Sequence, residues 1–102
     1  MAKFKVEWLN EARLDLKDIL DYYIERNGNK KYSLKLNRSI KNTVELIASN
    51  PLMGKSTQIS SIRVAVEKDY LIIYQLSESV LIMMIRDSRR DKFEQEFQKR
   101  RL

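Results

Sequence analysis

Cysteine and histidine are both absent from this chain, and glycine occurs only twice and proline once in 102 residues. Without cysteine there is no disulfide and no thiolate nucleophile, which fits a reducing compartment such as the cytoplasm. Without histidine as well, Ser-His-Asp catalysis, Cys-His catalysis and a zinc site are excluded. The two glycines, Gly28 and Gly54, stand alone and build no phosphate-cradling loop. Two glycines and one proline leave little material for linkers, and the length suits one domain over residues 1–102. The longest purely apolar run, Val80 to Ile85, falls far short of the roughly 20 residues a membrane span needs. The start, MAKFKVEWL, alternates charged and apolar residues and is no signal-peptide core. The expectation is a soluble, cytoplasmic domain with no cofactor and no membrane contact.

What is present in excess is positive charge, at +6, and it is unevenly spread. From Glu7 to Glu25 acids dominate, whereas Arg26 to Lys41 holds six cations and no acid. Such asymmetry speaks to partners rather than to fold, and favours nucleic acid, a ribonucleoprotein surface or an acidic protein segment.

Lys3 to Trp8 alternates, placing Phe4, Val6 and Trp8 on one face of a half-buried strand. Asn10 is positioned to cap a helix whose buried stripe is Ala12, Leu16, Ile19, Leu20 and Tyr23. Gly28 ends it, and a second helix runs from about Lys31 to Ser49, stopped before Pro51. Its inward stripe reads Tyr32, Leu36, Ile40, Thr43, Val44 and Ile47. Leu34 falls opposite that stripe, amid Lys30, Lys31, Lys35, Arg38 and Lys41, a setting suited to an amphipathic acidic peptide. Lys55 to Ser61 reads as a loop. Ile62 to Glu67, Tyr70 to Leu76 and Val80 to Ile85 read as an antiparallel meander. The last residues, from Asp91, have helical composition, with Phe93 and Phe97 spaced to pack back on the domain. The order β-α-α-β-β-β-α is α+β, with a helical hairpin on one face of a small antiparallel sheet.

If Ile62, Val64 and Val66 face the helices, Arg63 projects from the other face, and Lys55, Arg86, Arg89 and Arg90 can gather near it. Clustered guanidinium groups neutralise phosphates or pair with carboxylates. Arg63 serves equally well as a structural residue, capping the sheet or pairing with Glu67 or Asp87. Proton transfer would have to come from lysine, arginine or tyrosine.

The order of these elements, with Asn50-Pro51-Leu52-Met53-Gly54, Ile62-Arg63, the YLIIY strand and the terminal Arg89-Arg90-Asp91, resembles the RelE/ParE superfamily of bacterial type II toxins. The resemblance implies a toxin held inactive by a cognate antitoxin, with Leu34, Lys35 and Arg38 as antitoxin-binding residues. It implies one of two targets: DNA gyrase, poisoned without catalysis as by ParE, or mRNA on the translating ribosome, cleaved as by RelE. For a nuclease the candidate catalytic residues are Lys55, Arg63, Arg89 and Arg90. For a gyrase poison the target-binding set is Lys55, Arg63, Arg86, Arg89 and Arg90. No small-molecule substrate is implied. The chain departs from the RelE pattern where a C-terminal tyrosine or histidine would stand, since Tyr74 is its last tyrosine and Phe93 and Phe97 exchange no protons. Its Pro-x-Met-Gly turn and Arg-Arg-Asp ending lie closer to ParE. A non-toxic, antitoxin-binding relative is the third reading.

Overall fold

Residues 3–89 are described by a computed structural model. The elements are β1 (Val6–Trp8), α1 (Asn10–Asn27), α2 (Lys31–Ser49), β2 (Lys55–Ser56), β3 (Ile62–Glu67), β4 (Tyr70–Leu76) and β5 (Val80–Asp87). The α+β order expected from sequence holds, with β2 added where a loop was expected. The expected helix from Asp91, with Phe93 and Phe97, lies outside the described residues.

Gly28 closes α1 at φ 71°, donating its N–H to Ile24 O at 2.9 Å. Glycine bears that left-handed conformation without a Cβ penalty. The other end departs from expectation, because Asn10 is already helical and makes no capping hydrogen bond. Leu9 stands before the helix in extended conformation, and its N–H continues the sheet by donating to Ile82 O at 2.9 Å. The chain thus passes from strand to helix with no residue free to cap.

Along α2, Leu36, Ile40, Thr43, Val44 and Ile47 are buried as the period requires. Tyr32 is exposed instead of buried, and Ser33 takes the inward place, its hydroxyl donating to Leu20 O at 2.6 Å. A small residue there lets the two helices approach closely.

The strand order is β1-β5-β4-β3-β2. The β3-β4-β5 meander is antiparallel as expected, but β1 pairs parallel with β5, Val6 opposite Val80, so the sheet is mixed. The helical hairpin is the long crossover that frees β1 from hairpin geometry. Tyr74 pairs with Ile82 and Ile73 with Met84, so Met83 is an extra residue, a β-bulge in β5.

One cluster holds the helices to the sheet: Leu16, Leu36, Ile40 and Ile47 against Ala65, Ile72, Tyr74, Val80, Ile82 and Ile85. A second, on the opposite face, joins Val64, Leu71 and Ile73 with Ile62 and Met84. This reverses the expected sidedness of β3. Ala65 faces the helices, so Arg63 and Glu67 do too, two residues to either side. Thr43 Oγ1 on α2 confirms it by donating to Glu67 Oε2 at 2.8 Å. Among the described residues no helix is long and apolar enough to cross a membrane.

Candidate functional site

Arg63 is the second residue of β3 and lies on the helix face, against the turn that follows α2. Its Nη1 donates to Gly54 O at 2.6 Å and Leu52 O at 3.4 Å. Arg63 is therefore tied to backbone carbonyls, and not to Glu67 or Asp87. Tyr74 completes the anchor from the next strand, donating to Pro51 O at 2.6 Å and accepting from Gly54 N–H at 3.0 Å. Lys55 lies on the neighbouring edge strand, opposite Val64, with Ser56 opposite Arg63. These two cations share one end of the sheet.

Arg86 and Arg89 lie at the other end. Arg63 is in register with Tyr74 and Ile82, whereas Arg86 is in register with Leu71 and Val66. Four residues along and two strands across separate the backbones by roughly 15 Å. The gathering expected from sequence does not occur, because β3 and β5 run in the same direction and carry Arg63 at the start and Arg86 at the end. Arg90 lies outside the described residues.

Arg86 is held by α1. Its Nη1 meets Asp15 Oδ2 at 2.9 Å, and the same oxygen accepts Ile85 N–H at 3.0 Å. Beyond Ile82, β1 no longer covers the edge of β5, and the Asp15 carboxylate stands in for a strand partner. Arg89 grips Asp87 through Nε at 3.2 Å and Nη2 at 3.1 Å, and reaches Asp69 at 3.5 Å.

Arg89 Nη2 also donates to Tyr23 Oη at 3.3 Å, and Tyr70 Oη donates to the same oxygen at 3.2 Å. The Tyr70 hydrogen bond and then the Arg89 hydrogen bond pull the Tyr23 hydroxyl below its usual range. Burial pushes Tyr70 up, reinforced by its hydrogen bond to Tyr23. This hydroxyl pair is the titratable feature that sequence reading missed. Its members are 47 residues apart and Arg89 is 66 from Tyr23, so no local spacing announces them.

On α2, Leu34, Arg38 and Lys41 follow i, i+4, i+7 and form one exposed stripe, with Lys35 beside it. Leu34 is 60% exposed. Lys41 Nζ sits 5.0 Å from the centroid of the Trp8 ring. There the stripe meets a groove of about 350 Å³ with Trp8, Leu16, Leu20 and Ile24 as apolar lining and Arg13, Lys17, Asp21 and Lys41 as its charges, Lys17 being paired to Asp21 at 2.6 Å.

This architecture, a helical hairpin on one face of a mixed sheet, is similar in fold to chains of solved toxin–antitoxin complexes. One similar chain comes from the chromosomal ParDE system of P. aeruginosa, at 18% identity and TM-score 0.71, covering 83% of this chain and 96% of that one. Another belongs to the RelBE2 toxin–antitoxin complex of Mycobacterium tuberculosis, at 15% identity and TM-score 0.59, covering 84% and 99%. No curated protein sequence matches the chain. The model of the ParE toxin of type II toxin–antitoxin systems, parDE, matches residues 6–92. The chain belongs to the ParE toxin family.

Proposed function

We propose that this toxin arrests growth in the cytoplasm by binding and poisoning DNA gyrase, without chemistry of its own, and that a cognate antitoxin neutralises it. One observation carries this reading beyond family membership. Arg63, Arg86 and Arg89 are each engaged by carbonyls or carboxylates and divided between two ends of the sheet. A phosphoryl-transfer site needs cations converging on one developing charge. Dispersed, braced cations suit a broad contact surface instead. Lys55, Arg63, Arg86, Arg89 and Arg90 then serve as target-binding residues.

Leu34, Lys35 and Arg38 receive the antitoxin. Their stripe runs into the groove beside Trp8, so an amphipathic acidic segment finds apolar lining and the cations Arg13 and Lys41 in one path. Charge complementarity of this kind raises association rate and selects partners.

A ribosome-dependent nuclease is the second reading, favoured by the Tyr23 hydroxyl beside Arg89, which would have to serve as its proton-transfer group. Pulse-labelling DNA and protein synthesis after brief induction separates the two. The expected outcome is an early fall in DNA synthesis with SOS induction. A prompt fall in protein synthesis with DNA synthesis intact would favour the nuclease. Normal rates of both, with folded protein present, would leave a non-toxic relative.

A further inference from the structure

A cavity of about 270 Å³ opens between α1 and the adjoining ends of β4 and β5, lined by Asp18, Ile19, Tyr22, Tyr23, Tyr70 and Asp87. It belongs neither to the α2 stripe nor to the Lys55–Arg63 end of the sheet. Among the described residues that line it, three are tyrosines and two are carboxylates. Arg89 pairs with Asp87 and touches Tyr23, which leaves Asp18 as the exposed carboxylate of this lining, in a chain of net charge +6.

We infer that this cavity receives an arginine side chain offered by a partner protein. The tyrosine rings are set at angles to one another: Tyr22 and Tyr23 meet edge to face at 5.0 Å and 82°, and Tyr23 meets Tyr32 at 4.7 Å and 61°. A planar cation is attracted to such ring faces, and guanidinium stacks on them better than a compact ammonium does. Asp18 lies one turn before Tyr22 on α1, exposed, where it meets the charge of an entering side chain. Asp87 is already paired to Arg89 through both oxygens, so it contributes acceptor geometry more than net charge. The volume lies just below the range of small-molecule sites, roughly 300–1,000 Å³, and suits one long side chain. The floor is rigid, because Tyr23 is buried in the core and fixed by hydrogen bonds from Tyr70 and Arg89.

The site does not depend on whether gyrase or the ribosome is the target. Its test is titration of the purified chain with the tripeptide acetyl-Gly-Arg-Gly-amide, followed by tyrosine ring resonances, with lysine and norleucine versions alongside. Saturable shifts at Tyr22 and Tyr23 are expected with the arginine peptide, in the millimolar range, weaker with lysine and absent with norleucine. Asp18→Asn and Tyr22→Leu, both at exposed positions, should each weaken binding about fivefold or more. Asp21→Asn removes the same charge outside the cavity and should leave it unchanged. Equal loss in Asp21→Asn would reduce the effect to general electrostatics and overturn the site. Shifts with the norleucine peptide, or none with any peptide, would overturn it too. Tighter binding of free spermidine than of the arginine peptide would overturn the assignment to a partner's side chain.

Discussion

Tyr74 shows how one residue can hold a turn. Its hydroxyl is buried, accepts the Gly54 N–H and donates to Pro51 O, while Arg63 takes the carbonyls of Gly54 and Leu52. A Cβ on Gly54 would stand 2.6 Å from that hydroxyl, so the close approach requires glycine there. Tyr74→Phe leaves a buried N–H unpaired and should cost about 1–3 kcal/mol, read by urea unfolding at pH 8. Burial also raises the Tyr74 hydroxyl above its usual range, against smaller opposing effects of the Gly54 N–H and Arg63. The folded state therefore keeps this proton when the unfolded chain releases it near pH 10. Above that pH the unfolded chain binds fewer protons, so this contribution to stability is whole below about pH 10 and fades as pH rises through it. The deficit of Tyr74→Phe relative to the parent should shrink between pH 8 and pH 11. A deficit that stays constant would mean Tyr74 titrates alike in both states.

At the scale of elements, the hairpin between β3 and β4 carries an avoidable strain. Glu67 pairs with Tyr70, leaving a two-residue loop in which Lys68 adopts φ 56°. Glycine and asparagine are preferred in such turns because a Cβ there crowds the backbone, costing about 1–2 kcal/mol. Lys68→Gly should raise stability by up to about 1 kcal/mol, part of the relief being offset by the entropy glycine adds to the unfolded chain. A melting temperature unchanged or lowered would show that lysine's stem contributes packing of its own. Elements punctuated by local signals were legible from sequence: α2 begins and ends as read because Gly28 and Pro51 bracket it. The sidedness of β3 was not legible, because β4 is buried on both faces and alternation then names no inward side. Nor was the parallel pairing of β1, whose partner lies more than 70 residues away. The Arg63 end of the candidate site suffered the same loss, since the cations' positions follow from strand direction rather than from spacing.

For the whole molecule the question is what an uneven charge distribution is for. The acids of α1 are used within the fold where Asp15 guards the open edge of β5 and holds Arg86. The α2 cations Lys35 and Arg38 have no comparable use among the described residues, and they and Leu34 beside them are exposed. An exposed leucine alone needs no explanation, but one set in a basic stripe leading to an apolar groove suits a single amphipathic partner. If the antitoxin docks there, Leu34→Glu should lower its affinity at least tenfold, measured by calorimetry on the purified pair. Arg38→Glu should do the same and also flatten the dependence on salt, because a screened attraction has been removed. Leu46 is nearly as exposed as Leu34 but lies on another part of the helix's circumference, so Leu46→Glu supplies the control. Loss confined to Leu34→Glu and Arg38→Glu would locate the antitoxin on the stripe. Equal loss in Leu46→Glu would indicate a contact that wraps the whole helix, and no loss in any variant would move the antitoxin to a different face.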